Sequence, residues 1–378
     1  MKTIIYLIAS LFMLASCGDS GLKQRNLLQE VNLIPVMKGG RVTTYSYINT
    51  AGEEVFMSPF VEGAGLFFDG LAKGKISSRE TKGGRWRYIN AKGEVVIDAS
   101  AYREVTDFSE GIAWCETRDR KWVAINTKGE ELFVLDGRPM GLFSEGLAAC
   151  KNSSDKDVFV DMKGNTVLEP EKYIWQYTPQ FVNGRCCVYY DRKYGAIDKK
   201  GKIVIDLVSE NPFFFDCNGN AVLTTDEGTS LIDYNGKTLI PAGRFKEIEN
   251  DGKWYRVSED RQHYGWCDEK GNMKIECMVE GSSYSFSNLF LNNEFAYVQI
   301  DRKHFMINRQ GETTPVSSLS LEIPFVNGFS FVRAWQGIVP INSSLQKANN
   351  DVYAELWFNA NKTIELFRNI HTDYTITK

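Results

Sequence analysis

The chain has 378 residues, 43% hydrophobic and 24% charged, a balance that excludes a disordered or collagen-like polymer. Lysine and arginine total 44 against 48 acidic residues, so the net charge of -4 offers no basic excess for a nucleic-acid backbone. Aromatics at 13% and 32 glycines, with three histidines, point to many short strands and tight turns rather than to a histidine-based catalytic centre.

Lys2 opens the chain with a positive charge, and residues 4–14 are a short apolar run matching the core of a signal peptide. The run ends in Leu14-Ala15-Ser16-Cys17, which resembles the lipobox of bacterial lipoproteins. That resemblance implies cleavage before Cys17, diacylglycerol transfer to its thiol and acylation of the new amino terminus. Several acyl chains anchor stably, since each buried methylene adds about 0.8 kcal/mol. Residues 1–16 are therefore read as the signal peptide and 17–38 as a lipidated terminus and tether. The address is the bacterial cell envelope, the outer membrane in preference to the inner, with the periplasmic or surface face left open.

A string then recurs along the chain. Trp86-Arg-Tyr88-Ile89-Asn90-Ala-Lys92-Gly93 returns as Trp122-Val-Ala-Ile125-Asn126-Thr-Lys128-Gly129 and as Tyr194-Gly195-Ala-Ile197-Asp198-Lys-Lys200-Gly201. Weaker copies end at Gly52, Gly164, Gly236, Gly271 and Gly311, and a last one, 355–362, has Asn361 where the glycine belongs. The eight glycines are spaced by 41, 36, 35, 37, 35, 35 and 40 residues. A second string, Phe108-Ser-Glu-Gly111 and Phe143-Ser-Glu-Gly146, precedes the hairpins, with relatives from Phe67, Phe181, Phe290 and Phe325 and eroded copies at Gly219 and Gly252. Apolar residues alternate on either side of each turn, the Asn or Asp bonds the turn backbone, and glycine takes the positive φ.

Each unit is thus a β-meander of three or four strands in about 37 residues, unable to bury its own face but able to do so beside its siblings. The predicted fold class is all-β: tandem meanders over 39–368, followed by a tail at 369–378. A propeller-like ring is the preferred arrangement and an open superhelical β-array the alternative, since nine hairpins exceed the usual four to eight blades. Residues 335–351 read as an insertion loop.

These strings resemble the WG-repeat (KWG repeat) family over roughly residues 40–366. No Trp-Gly dipeptide is present; Tyr194-Gly195 and Tyr264-Gly265 come nearest. Members of the family are often envelope or secreted proteins and their biochemical role is poorly defined, so the resemblance implies architecture more than activity.

Chemistry-bearing residues mostly follow the repeat. Asp161, Asp198, Asp233 and Asp268 recur at the hairpin turn, and Glu110 and Glu145 in the Phe-Ser-Glu-Gly turn, as scaffold acids would. Besides Cys17, the cysteines are Cys115, Cys150, Cys186, Cys187, Cys217, Cys267 and Cys277. Their small apolar slots read as buried thiols, and no CxxC pair suggests zinc. His263, His304 and His371 lack metal spacing, and no HExxH, GxSxG or phosphate loop occurs, so no metal, cofactor or catalytic residue is expected.

Tryptophans are the better lead. Trp86 and Trp122 follow the repeat; Trp114, Trp175, Trp254, Trp266 and Trp335 sit less regularly. Trp175 with Tyr177, Trp254 with Tyr255, and Trp335 are the candidates for a sugar- or protein-binding face. The expected function is a non-catalytic envelope scaffold whose partners are the membrane, through its lipid, and a protein or glycan, with no nucleic acid. Alternatives are an envelope enzyme acting on a glycan or other polymer, and a structural subunit of an envelope complex.

Overall fold

The computed structural model describes residues 27–28, 31–38, 44–78, 81–170, 179–216, 218–282, 288–291, 293–348, 352–356, 366 and 373. Among these, the chain is all-β and is organised in nine successive units. Unit 1 holds β1 (Leu33–Lys38), β2 (Thr44–Asn49) and β3 (Glu54–Met57); unit 2 holds β4 (Leu71–Ser78), β5 (Thr81–Asn90) and β6 (Val95–Asp98). Unit 3 holds β7 (Glu104–Val105), β8 (Ile112–Glu116), β9 (Trp122–Asn126) and β10 (Glu131–Val134). Unit 4 has β11 (Arg138–Pro139), β12 (Leu147–Lys151), β13 (Asp157–Asp161) and β14 (Thr166–Leu168). Unit 5 has β15 (Arg185–Tyr190), β16 (Lys193–Asp198) and β17 (Ile203–Ser209), and unit 6 has β18 (Ala221–Thr225), β19 (Gly228–Ile232) and β20 (Thr238–Ile240). Unit 7 has β21 (Glu247–Asp251), β22 (Trp254–Ser258), β23 (His263–Cys267) and β24 (Met273–Glu280). Unit 8 has β25 (Phe295–Ile300), β26 (Lys303–Asn308) and β27 (Thr313–Val316); unit 9 has β28 (Phe329–Ala334) and β29 (Gly337–Asn342). A final strand, β30 (Glu355–Leu356), follows.

The turn chemistry explains the repeat. Gly93 donates its N–H to the Asn90 carbonyl at 2.9 Å, and Asn90 donates its own to Glu94 at 3.0 Å. The Asn90 side-chain oxygen accepts the N–H groups of Lys92 and Glu94 at 3.0 and 3.1 Å. Gly93 takes φ 81° to close the loop. The same four bonds recur at Asn49, Asn126, Asp161, Asp198, Asp233, Asp268 and Asn308. The second turn is a two-residue hairpin. Ser109 and Ile112 exchange both backbone bonds, and Glu110 and Gly111 sit at φ 56° and 80°, the geometry of a type I′ turn. Because the strands alternate in direction, both turn types lie on one face of the molecule. The tips of the hairpins that lead into the Asx turns, such as those between β8 and β9 and between β28 and β29, lie on the other.

The units close into a ring. The last strand of each of units 1 to 4 points one apolar side chain at the turn glycine of the next unit: Phe56 meets Gly93, Ile97 meets Gly129, Phe133 meets Gly164 and Leu168 meets Gly201. Ile205, Ile240 and Ile275 continue the series against Gly236, Gly271 and Gly311, and Ala348 of unit 9 meets Gly52 of unit 1. The core follows the same circle. Separate apolar clusters fill all nine joints, including one in which Phe329, Phe331 and Ile338 of unit 9 pack with Ile34, Val36 and Ile48 of unit 1. β30 then adds to the first sheet, in the order β3-β2-β1-β30, pairing Val36 with Leu356 and Met37 with Glu355. The propeller-like ring, not the open array, is the fold; an open array would leave two apolar end faces in water.

Three expectations change. The tether does not extend to residue 38, because Leu27, Leu28 and Val31 are buried in the joint between units 9 and 1 and β1 is a paired strand. Of the expected tail 369–378 only Asp373 is described, and it is buried between units 2 and 3. Residues 335–351 are no insertion: the ninth repeat turn is at Asn342, whose side chain holds the N–H groups of Ser344 and Gln346, with Leu345 at φ 60° in place of glycine. Asn361, where that turn was expected, lies outside the described residues.

Candidate functional site

The repeated acids are built into the scaffold. Asp69 accepts the Gly111 N–H of the next unit at 2.8 Å. Glu110 accepts the N–H groups of Glu145 and Gly146 at 2.6 and 2.7 Å, and Glu145 that of Gly184 at 2.8 Å. In unit 7 the buried Asp251 takes the N–H groups of Phe290 and Leu291 and the Trp266 indole N–H at 2.7 Å. Burial raises its pKa against these donors. In units 2, 3, 4 and 7 the acid therefore stitches one turn to the turn after it, which explains why these acids follow the period.

Of the residues singled out as a binding face, Tyr255 is excluded. It is fully buried in the joint between units 6 and 7, where its hydroxyl donates to Asp216 at 2.7 Å and accepts the Asn220 amide at 2.8 Å. An apolar joint with a polar partner at the hydroxyl satisfies a tyrosine completely, leaving no ring for a ligand. Burial pushes the Asp216 pKa up to about 6 even with four donors around the carboxylate. Its sequence neighbour Trp254 is half-buried, edge-on to Phe290 at 6.0 Å with the Arg309 guanidinium 5.0 Å from its ring. It belongs chiefly to the joint between units 7 and 8. Trp114 and Trp266 are buried, and Trp86 and Trp122 are half-buried against the joint cores. Trp175, Tyr177 and Cys17 lie outside the described residues.

Trp335 is different. It occupies the two-residue tip between β28 and β29, where Ala334 pairs with Gly337, and it is fully exposed. The corresponding tips of other units carry charged side chains instead: Asp119 and Arg120, Asp191 and Arg192, Asp301 and Arg302. One unit of the ring thus offers a bare indole on a face otherwise lined with charge. Below it Arg333 grips Glu322 through two bonds of 2.7 Å, which steadies the hairpin. Large apolar side chains are also exposed on the outer strands of units 1 to 5, among them Met57, Val96, Leu132, Val134 and Val167. Among the described residues, none is exposed between 209 and 334.

One charged group breaks the repeat symmetry, and sequence inspection missed it. Lys73 on β4 is largely buried and its ammonium lies 2.7 Å from Asp373, 3.8 Å from Asp107 and 3.0 Å from the Val105 carbonyl. Burial alone would lower its pKa, but the two carboxylates hold it above the ordinary lysine value. Asp373 had no signal in the sequence, because its partner stands 300 residues away.

The six described cysteines besides Cys17 are free, with Cys115, Cys150, Cys186 and Cys267 buried. Burial pushes their thiols up, the half-buried Cys187 to about 11. Cys217 and His371 lie outside the described residues. His304 stacks on Tyr297 at 5.4 Å, and His263 pairs with its neighbour Asp260 at 2.6 Å. Among the described residues no three His, Cys, Asp or Glu side chains are grouped to hold a metal, and no helix is long and apolar enough to cross a membrane.

Comparison with known proteins adds the following. The chain is similar to the crystal structure of BamB from Moraxella catarrhalis at 12% identity, over 74% of this chain and 88% of that one, with a TM-score of 0.39. It is similar to AztD from Citrobacter koseri at 13% identity, over 86% and 95%, with a TM-score of 0.37. A third likeness is the computationally designed Ika8 protein, 11% identical over 70% and 91%, TM-score 0.38. No curated protein matches the sequence. The family model described as "WG containing repeat" matches residues 86–122 and 194–221. Both segments run from the strand before the Asx turn through the outer strand and connecting turn into the next unit, so these two segments match the WG-containing repeat.

Proposed function

We propose that the protein is a non-catalytic binding scaffold, anchored in the bacterial cell envelope through a lipid on Cys17, that presents a protein- or glycan-binding surface on its ring. The observation that carries this reading is Trp335, a fully exposed indole at a hairpin tip, while the other described tryptophans are engaged in the joints. Exposed aromatic side chains on a rigid element lose little conformational freedom when they stack on a sugar or enter a partner's pocket. The non-catalytic part is supported by the acids: those at repeat positions accept backbone N–H groups, and the off-repeat pair Asp107 and Asp373 neutralises Lys73.

The test uses glycan arrays and crosslinking pull-downs from envelope fractions, with Trp335→Ala compared to wild type. The expected result is a partner whose capture falls at least tenfold in the variant while the unfolding midpoint stays unchanged. Equal capture by both proteins would remove Trp335 from the surface. Release of product from an envelope polymer by the purified protein would favour the enzyme instead. N-terminal mass spectrometry checks the anchor separately, through the acyl groups expected on Cys17.

A further inference from the structure

The outer strands of the ring are not protected alike. Among the described residues β3, β6 and β10 each end a sheet, paired on one side only. Such an edge invites a further strand unless lysine or proline guards it. Later units are guarded: Lys202, Lys237 and Lys274 stand at or in the outer strands of units 5, 6 and 7, and Pro315 in that of unit 8. Units 1 to 3 have neither residue there. Their outer strands read Gly52-Glu-Glu-Val-Phe-Met57, Gly93-Glu-Val-Val-Ile-Asp98 and Gly129-Glu-Glu-Leu-Phe-Val134. Val55 and Met57, Val95 and Val96, and Leu132 and Val134 are exposed along them, Met57 by 62% and Val134 by 61%.

The same stretches carry one sign of charge. Residues 52–61, 93–102 and 129–137 hold seven acids and no lysine or arginine. Lys38 on β1 and Arg87 on β5 offset Glu54 and Asp98. Glu53, Glu94 and Glu130 accept the amides of Asn49, Asn90 and Asn126, neutral donors that leave the carboxylate charge in place. Each edge is thus apolar along its length and negative at its glycine end. An anionic leaflet is met by lysine and arginine rather than by acids, and a second copy would bring further acids to the rim. The complement is a backbone free to pair, with cationic and apolar side chains in alternation. We infer that β3, β6 and β10 are docking edges for an extended, basic segment of a partner protein, which adds to the sheet as a further strand. Main-chain bonds hold the segment, and its lysines or arginines meet the glutamates that open each strand. This inference does not depend on Trp335 or on the lipid anchor.

The test uses the detergent-solubilised full chain and a synthetic peptide of four Lys-Val repeats, capped at both ends. The peptide should bind wild type at least tenfold more tightly than Met57→Lys/Val96→Lys/Val134→Lys protein, in which each open edge gains a lysine like those of units 5 to 7. A peptide of four Lys-Pro repeats has the same charge but cannot pair with an edge, and should bind wild type at least tenfold more weakly. Isotope-edited infrared spectra of the bound Lys-Val peptide, labelled at its carbonyls, should show a β-strand band that the free peptide lacks. If the triple lysine variant does not fold, Glu53→Gln/Glu94→Gln/Glu130→Gln replaces it, with affinity expected to fall at least threefold. Equal binding of the two peptides, or undiminished binding by the folded variant, overturns the inference. So does self-association, or binding of the Cys17→Ala chain to phosphatidylethanolamine vesicles, that the lysine substitutions abolish while the Lys-Val peptide fails to bind.

Discussion

Gly195 and Gly265 show what one residue does in this ring. A Cβ on Gly265 would fall 2.5 Å from the Ile275 carbonyl oxygen, and one on Gly195 would fall 2.6 Å from that of Ile205. Both glycines lie where the register of the outer strand shifts, so the bulged strand crowds the backbone opposite. Neither is in the left-handed region, so the penalty for a side chain is steric rather than conformational. Gly265→Ala should cost about 2 kcal/mol or more, since backbone rather than a flexible side chain must move; urea unfolding measures it. The glycine after the aromatic is legible in Tyr194-Gly195 and Tyr264-Gly265, but its reason is not. Only the position of a strand ten residues further on supplies it. Tyr255 teaches the converse: next to a tryptophan in sequence, it looked like surface, yet the period turns successive strand residues to opposite sides.

At the scale of the element, the Asx turn is the unit's organising device. Asn126→Ala would remove the bonds to Lys128 and Glu130 N–H and the contact of its amide with the Glu130 carboxylate at 2.7 Å. The turn is exposed, so water compensates in part, and the expected loss is about 1 kcal/mol. Asn126→Asp keeps the backbone acceptor but sets its carboxylate against that of Glu130, whereas the units that carry Asp161, Asp198, Asp233 and Asp268 have Asn165, Lys202, Lys237 and Asn272 at the facing position, so it too should destabilise, by about 0.5 kcal/mol and less at low pH. Denaturant midpoints of the two variants separate the side-chain acceptor from any effect of charge. This element was largely readable from sequence, since acceptor and glycine are three residues apart. It failed at unit 9 because the positive-φ position is Leu345 there, so a search keyed on glycine passed over a turn whose hydrogen bonds match the others. The Asn-Ser-Ser-Leu-Gln stretch did carry the Asx acceptor, which was the available signal.

For the whole molecule, closure is the property that matters. Gly52 and Gly271 have nearly the same φ, 79° and 78°, and occupy the same turn position. They differ in what stands opposite. A Cβ on Gly52 would lie 2.3 Å from the Ala348 Cβ across the seam, whereas one on Gly271 would lie 3.7 Å from Ile240. Alanine at either site should cost about 1 kcal/mol for the left-handed backbone. Gly52→Ala should cost roughly 1–3 kcal/mol more, because it must push unit 1 from unit 9. Equal losses by chemical denaturation would mean that the seam yields freely and contributes little to closure.

The division between sequence and tertiary structure follows from range. The period, the turn residues and the alternation of apolar side chains are set by neighbours within about five positions, and they are written in the chain. Closure, the burial of Tyr255, the baring of Trp335 and the pairing of Asp373 with Lys73 were decided in three dimensions. Each depends on which unit comes to rest beside which, and a nearly uniform repeat leaves the same local pattern whether its ends meet or part. What closes this ring is contact between units 9 and 1, and the Asp373–Lys73 pair between units 2 and 3 spans 300 residues; no local rule encodes partners at such distances.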